Sequence, residues 1–321
     1  MSSSRPKMCR EGVLETMKSA SLEPPDLDHL FEHWPRATSP HYRILREEAD
    51  AFLTWVVPPG RKRESYLASD FAWLFASWFP YAPLEALKIL TCANIWLFLW
   101  DDEIDAATGS LWDAWDAAEA FRQVTKDFVR ACLGLARDTG DPYALADDIR
   151  IYSGGKALGR LAKIYGNVEQ RVRLSDSIQT IEQFCSVRPA SSGASQEMCY
   201  LPLACGYPVL ELPGKVLNDA AFQTCWSRCE EIVAYVNDVW SVRREIDDNA
   251  IDSLVPLFYA QQGDLDKAWL LTVDMIATKV KEFDDAAESL LRRFASAPES
   301  PKLTDFVKGC RYICTGNLMW R

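Results

Sequence analysis

An acidic cluster follows the most apolar stretch of the chain. Residues 89–100 are almost entirely apolar, and Asp101, Asp102, Glu103 and Asp105 come directly after them. On a helix, Asp101 and Asp105 are four residues apart, so both carboxylates project from one face. The C-terminal end of a helix already carries partial negative charge, which these acids would reinforce. The pattern therefore predicts a positive partner such as Mg²⁺, which prefers carboxylate oxygens; a solvated acidic helix end is the alternative.

A second set of oxygen-bearing side chains lies near residue 240. Asn237, Ser241 and Glu245 are spaced four residues apart. Each such step rotates only about 40° around a helix, so an amide, a hydroxyl and a carboxylate line one ridge. The preceding turns are apolar, and a buried Asn or Glu without a partner would be costly. A divalent cation would remove that cost, whereas a capped or exposed polar face is the alternative.

Composition excludes several other kinds of chemistry. The 321-residue chain has a net charge of −11, which argues against nucleic acid and against an anionic membrane surface as partners. Its three histidines, His29, His33 and His41, all lie near the start, so a hydrolase triad or a histidine-bound zinc in the main body is not expected. The ten cysteines form no C-x-x-C pair. They predict reduced thiols in a cytoplasmic protein.

The elements that carry these side chains are predicted to be helices. Apolar residues recur three or four apart over 83–100, 225–245 and 268–294, and strand signals are scarce. The apolar run at 89–100 is too short to cross a bilayer, which needs about 20 residues. We therefore expect an all-α fold with a flexible N-terminal arm at residues 1–25 and a single helical domain at 26–321, without stable membrane insertion.

The two motifs together resemble the class I terpene synthase family. The Asp-Asp-x-x-Asp pattern at 101–105 is shared with prenyl chain-elongating enzymes, but Asn-Asp-x-x-Ser-x-x-x-Glu at 237–245 is highly specific. The resemblance covers roughly residues 60–321, because the segments 78–80 and 316–320 also fit. It is strongest to the microbial single-domain sesquiterpene cyclases.

This resemblance implies an α-helical bundle with a central active-site cavity and three Mg²⁺ ions, with Mn²⁺ as a possible substitute. Asp101 would bridge two metals, and Asp105 would be more peripheral. Asn237, Ser241 and Glu245 would chelate the third ion.

The resemblance also implies a set of residues that bind the substrate, a small isoprenoid diphosphate. Arg188 lies close to where the family places its diphosphate-sensing arginine, in a segment that suits the helix break found there. A surface arginine before a turn would look the same. Arg244 matches a basic position that contacts diphosphate, and Phe98 and Trp320 match positions in the hydrocarbon cavity.

The expected activity is that of a class I terpene cyclase, a carbon–oxygen lyase acting on diphosphates. We expect Mg²⁺-dependent ionisation and cyclisation of an allylic diphosphate, with farnesyl diphosphate giving a cyclic sesquiterpene plus diphosphate. One alternative is a prenyl chain-elongating transferase. Another is a non-catalytic helical protein that binds isoprenoid diphosphates. The expected assembly is a monomer or a homodimer.

Overall fold

The computed structural model describes residues 8–105, 109–132, 177–206 and 212–320. Within these ranges the regular structure is helical and contains no strand, as the periodicity predicts. The α-helices are α1 (Arg10–Ser19), α2 (Tyr42–Val56), α3 (Arg61–Ala68), α4 (Phe71–Trp78), α5 (Leu84–Asp105), α6 (Trp115–Cys132), α7 (Ile181–Ser191), α8 (Ala194–Ala204), α9 (Gly214–Leu217), α10 (Ala220–Asp247), α11 (Leu254–Gln262), α12 (Leu265–Arg293) and α13 (Ser300–Met319), with a 3₁₀ turn at Asp28–Phe31.

Helix α10 forms the centre of the bundle. It has 28 residues and begins at Asp219, whose side chain accepts a hydrogen bond from the backbone N–H of Ala221. It packs on α7, α8, α11, α12 and α13. Residues 232–236 are all buried, as expected for a helix covered on every side. The ridge predicted at Asn237, Ser241 and Glu245 lies on the part of α10 that directly follows this buried segment.

Helix α5 carries the acidic cluster at its C-terminal end. It packs on α2, α4 and α8, and the side chains of Leu87, Leu90 and Ile95 are buried. The apolar run at 89–100 is thus part of a helix packed within the bundle. Among the described residues, no helix is long and apolar enough to cross a membrane.

A sharp helix break separates α7 from α8. Helix α7 begins with a capping box between Thr180 and Gln183 and ends at Ser191. Gly193 follows with φ of 75°, a left-handed conformation that glycine adopts without strain, and α8 begins at the next residue. The helix break predicted after Arg188 is therefore present, at residues 192–193.

Close packing of α13 on α4 fixes the C-terminal segment. A Cβ atom at Gly316 would lie 2.5 Å from Cδ1 of Trp78 and 3.0 Å from the backbone of Ser77, so only glycine permits this approach. The indole of Trp320 then donates a 2.5 Å hydrogen bond to the carbonyl of Ser69. These contacts place Trp320 beside the start of α4.

The N-terminal segment differs from the flexible arm expected for residues 1–25. Val13 and Met17 of α1 are fully buried against the bundle, and α1 packs on α10 and α11. Arg10 forms an ion pair with Asp252 at 3.0 Å. The apolar periodicity of this short helix is weak, and its packing depends on residues far away in the chain. The sequence therefore gave little sign that α1 packs on the bundle. The domain boundary at residue 25 stays a prediction.

Candidate active site

The three residues of the α10 ridge lie side by side. The hydroxyl oxygen of Ser241 lies 2.6 Å from Oε1 of Glu245 and 2.9 Å from the backbone carbonyl oxygen of Asn237, and its single proton is within reach of both acceptors. The spacing of four residues therefore gives the shared face that the sequence predicts.

The second carboxylate oxygen of Glu245 supports a metal at this ridge. Oε2 of Glu245 is buried and has no hydrogen-bond partner among the described residues. A buried carboxylate oxygen without a partner is costly, and a hard cation would satisfy it. No group of three or more His, Cys, Asp or Glu side chains gathers within the described ranges. The ridge instead combines one carboxylate with an amide and a hydroxyl, all of them oxygen donors that fit Mg²⁺.

Arg188 lies directly against this ridge. Its Nε lies 2.8 Å from Oδ1 of Asp238, and its Nη2 donates a 2.9 Å hydrogen bond to Oδ1 of Asn237. Its Nη1 lies 3.4 Å from the hydroxyl of Ser191. Only 13% of the Arg188 side chain is exposed, so it is not the surface arginine of the alternative interpretation. The guanidinium of Arg188, near the end of α7, is thus in direct contact with the α10 ridge.

Asp238 is a site residue to which the sequence assigned no role. It is fully buried, and its Oδ2 accepts a 3.2 Å hydrogen bond from the backbone N–H of Leu254 at the start of α11. Burial raises the pKa of Asp238 to about 7; the charge of Arg188 opposes that rise and the charge of Glu245 adds to it. The sequence contained one weak signal, an acid next to Asn237 on a core helix, but its partner lies 50 residues away.

Helix α3 binds two acids of the cluster at the end of α5. The hydroxyl of Tyr66 donates a 2.5 Å hydrogen bond to Asp102, and Lys62 lies 2.6 Å from Glu103. Asp101 is exposed at the helix end. The positive partner predicted for this cluster is thus supplied in part by Lys62, while Asp101 lies on the outer side of the cluster.

The environment of Glu103 explains why it is not a candidate ligand. Its carboxylate also accepts hydrogen bonds from the backbone N–H and the hydroxyl of Ser110. The hydrogen bond from Lys62, more than any other contact, lowers the pKa of Glu103. The carboxylate therefore stays ionised, and its oxygens are already bonded to Lys62 and Ser110. Asp105 is the last residue of α5, and its side chain lies outside the described part of the chain.

Arg244 shares the ligand face of α10. It lies seven residues after Asn237, which is two helical turns, and its side chain is exposed. A cation in this position is open to an approaching anion. Its predicted contact with diphosphate stays a prediction.

Phe98 and Trp320 meet in an aromatic cluster next to the acidic helix end. Their ring centres are 6.0 Å apart, and Phe71 lies 4.9 Å from Phe98 and 6.0 Å from Trp320. Phe98 lies three residues before Asp101, on the preceding turn of α5. The structure brings together the two aromatic residues that the sequence had separated by more than 200 positions, and their role at a cavity stays a prediction.

A protein-family model matches the part of the chain that carries both motifs. The model described as "Terpene synthase family 2, C-terminal metal binding" matches residues 92–282, which include Asp101, Arg188 and the α10 ridge. The chain is similar to the sesquiterpene cyclase hepA of Aspergillus oryzae, with 26% identity over 325 residues that cover 92% of this chain and 86% of hepA. It is also similar to the terpene cyclase braA of Annulohypoxylon truncatum, with 24% identity covering 92% and 83% of the two chains.

Solved structures show the same fold. The structure of hedycaryol synthase in complex with nerolidol superposes with a TM-score of 0.66 and 17% sequence identity. The superposition covers 90% of this chain and 97% of that one. The helical bundle expected from the sequence is confirmed.

Proposed function

The chain belongs to terpene synthase family 2 and is a terpene cyclase, and we propose that it ionises and cyclises farnesyl diphosphate in a Mg²⁺-dependent reaction. The observation that carries the proposal is the buried, unpartnered Oε2 of Glu245 beside Ser241 and Asn237 on α10. These are oxygen donors suited to a hard divalent cation, and they lie beside a guanidinium suited to phosphate.

Two sets of residues would hold the metal ions. Asn237, Ser241 and Glu245 would hold one ion, and Asp101, with Asp105 more peripheral, would hold the others. The bound ions would neutralise the charge that develops on the departing diphosphate. The Ser241 hydroxyl would hold the Glu245 carboxylate in place, since its oxygen lies 2.6 Å from Oε1 of Glu245.

Arg188 and Arg244 would bind the diphosphate. The buried pair with Asp238 sets the direction of the Arg188 guanidinium, and its Nη2 now donates to a ligand oxygen of Asn237. If Oδ1 of Asn237 were to bind a metal ion instead, the Nη2 donor of Arg188 would be free for a diphosphate oxygen. Guanidinium donors fixed where negative charge develops lower the barrier to ionisation.

The aromatic cluster would receive the hydrocarbon chain. Phe98, Phe71 and Trp320 present ring surfaces one turn below the acidic end of α5. Their apolar surfaces exclude water, which would otherwise quench a carbocation. Aromatic faces also attract positive charge through cation–π interactions.

Farnesyl diphosphate is the proposed substrate because the relative hepA is named a sesquiterpene cyclase and matches along most of both chains. Prenyl chain elongation is the competing reaction on a similar scaffold. The Asn, Ser and Glu ligands stand where chain-elongating enzymes carry a second aspartate cluster, and this favours cyclisation.

One product analysis separates these activities. The protein is incubated with farnesyl diphosphate and Mg²⁺, with and without isopentenyl diphosphate, and products are identified by gas chromatography–mass spectrometry. We expect inorganic diphosphate and a cyclic C15 product in both cases, with no lengthened product. Longer prenyl diphosphates that require isopentenyl diphosphate would contradict cyclisation. Binding of farnesyl diphosphate without any turnover would identify a non-catalytic protein.

A further inference from the structure

Each of the two motif helices carries a buried polar side chain two turns before its first ligand. Asn94 lies seven residues before Asp101 on α5, and Glu230 lies seven residues before Asn237 on α10. Both side chains are at most 5% exposed. Seven residues span about 10 Å along a helix and return to nearly the same face. These polar groups therefore lie below the metal ligands, on the faces that carry them.

Both buried groups are bonded to the first turns of α8. The amide of Asn94 donates a 3.2 Å hydrogen bond to Oε2 of Glu197, and the hydroxyl of Ser195 donates to Oε1 of Glu230. Helix α8 packs on both α5 and α10 and begins immediately after the break that follows Arg188. Two carboxyl groups, those of Glu197 and Glu230, thus lie at the junction of α5, α8 and α10.

The two carboxyl groups differ in how their oxygens are used. Oε1 of Glu230 also lies 3.2 Å from the indole nitrogen of Trp226, and that donor together with Ser195 fixes the group in place. Glu197 receives its side-chain hydrogen bond on Oε2, from Asn94, and its Oε1 has no hydrogen-bond partner among the described residues. Oε1 of Glu197 is therefore the available oxygen.

The protonation state of Glu197 follows from its surroundings. The residue is 2% exposed, and burial raises its pKa well above the ordinary range, with only the Asn94 amide opposing the rise. Because Asn94 donates to Oε2, a proton on the neutral acid resides on Oε1. Glu197 thus presents a carboxylic O–H that no described residue accepts.

We propose that Glu197 is the acid that protonates a neutral cyclised hydrocarbon held below the metal ligands. The proposal rests on the cyclase function proposed above. Asp101, the proposed metal ligand of α5, lies about 10 Å along that helix from Asn94, so a diphosphate bound there would remove a proton only from nearby carbons of the chain. An acid two turns lower reaches carbons that the diphosphate cannot.

The step balances in protons and electrons. The first cyclic cation loses a proton to the departed diphosphate and becomes a neutral alkene. The alkene π pair then forms a C–H bond with the Glu197 proton as the O–H bond breaks, which leaves a second cation and the Glu197 carboxylate. Asn94 stabilises that carboxylate through its hydrogen bond to Oε2. Loss of a proton from carbon to this carboxylate ends the reaction and restores the acid.

Solvent deuterium tests the proposal without any substitution. Between turnovers the Glu197 proton exchanges with solvent, so the wild-type protein in D₂O with farnesyl diphosphate and Mg²⁺ should place one deuterium on a carbon of the product. Mass spectrometry and ²H NMR would detect and locate it. A C15 product without deuterium would overturn the proposal and leave the cyclase function intact. Absence of diphosphate release would instead count against the cyclase function itself.

Two matched variants then identify the acid. Glu197→Gln keeps the shape of the side chain and an oxygen that can accept from Asn94, so it should still release diphosphate while its product loses the deuterium and changes in identity. Glu230→Gln alters the other buried carboxyl of the junction and should retain the deuterium. Retention of deuterium in Glu197→Gln, or its loss only in Glu230→Gln, would overturn the assignment.

Discussion

Arg188 of α7 and Asp238 of α10 form an ion pair of 2.8 Å in which the carboxylate is fully buried. The same guanidinium donates to Asn237, the first ligand of the α10 ridge. The pair therefore joins the helix before the break to the helix that carries the proposed metal ligands. Arg188 would thus combine a structural role with its proposed role in diphosphate binding, and substitutions can separate the two.

We predict that Arg188→Ala lowers both stability and turnover. Removing one partner of a buried ion pair leaves an uncompensated carboxyl, which costs on the order of 3 kcal/mol of unfolding free energy. Diphosphate release should fall by about 100-fold or more, as for the loss of one donor that stabilises developing charge. Urea denaturation and a diphosphate-release assay measure the two effects.

The double variant Arg188→Ala/Asp238→Asn is the control for this experiment. A neutral amide in place of the carboxylate should restore much of the stability without restoring turnover. If the double variant recovers near wild-type turnover, Arg188 has only a structural role.

The ridge of α10 predicts that substitutions at different acids and ligands lower kcat/KM to different degrees. Glu245→Gln and Asn237→Leu each remove a ligand from the same ion and should lower kcat/KM by on the order of 100-fold, whereas Asp105→Asn should have a smaller effect. Asp247→Asn is the matched control, because Asp247 is an exposed acid on the same helix and should leave kcat/KM nearly unchanged. Equal losses for Asp247→Asn and Glu245→Gln would contradict the assignment of ligands.

The aromatic cluster predicts changes in product without loss of ionisation. Phe98→Leu removes a ring that packs near both Phe71 and Trp320 but keeps the site apolar. Diphosphate release should stay within a few-fold of wild type, while gas chromatography should reveal a changed distribution of products. Trp73→Leu is the control, because Trp73 is partly exposed and packs on Tyr42. An unchanged product from Phe98→Leu would place the hydrocarbon elsewhere.

Burial of Glu197 predicts that the difference in stability between Glu197→Gln and the wild-type protein depends on pH. The folded protein raises the pKa of Glu197, so between the unfolded and folded pKa values the folded state holds a proton that the unfolded state releases. Stability from this group therefore falls as pH rises, by about 1.4 kcal/mol per pH unit within that window. Glu197→Gln removes this loss, so its stability relative to wild type should increase from about pH 5 to about pH 8.

Urea denaturation of both proteins at the two pH values measures this difference. Glu288→Gln serves as the control, because Glu288 is an exposed partner of Arg292 and should give no such trend. A difference between Glu197→Gln and wild type that stays constant with pH would contradict a raised pKa.

Local spacing predicted the parts of the site that lie within one helix. The positions of Asn237, Ser241 and Glu245 determine a shared face once the segment is helical, and the bond between Ser241 and Glu245 follows from that. The helix break after Arg188 was instead expected from the resemblance to the class I terpene synthase family. Helical periodicity predicted the all-α class because long stretches repeat every three or four residues.

Contacts between distant segments could not be predicted in this way. The partners of Asp102, Asp238 and Glu197 lie 36, 50 and 103 residues away, on other helices. Nothing in the local pattern distinguishes an acid that binds a metal from one that a neighbouring helix satisfies. The packing of helices decides that question, which is why Asp102 and Glu103 are held by α3 while Asp101 is exposed.

Metal dependence of diphosphate release tests the central claim most directly. The protein is incubated with farnesyl diphosphate alone, with Mg²⁺, with Mg²⁺ and excess EDTA, and after Mg²⁺ is restored, while inorganic diphosphate is measured over time. We expect release only when Mg²⁺ or Mn²⁺ is available, with full recovery after EDTA is overcome. Release at the full rate in EDTA would contradict a mechanism in which Asp101 and the α10 ridge act through bound metal ions.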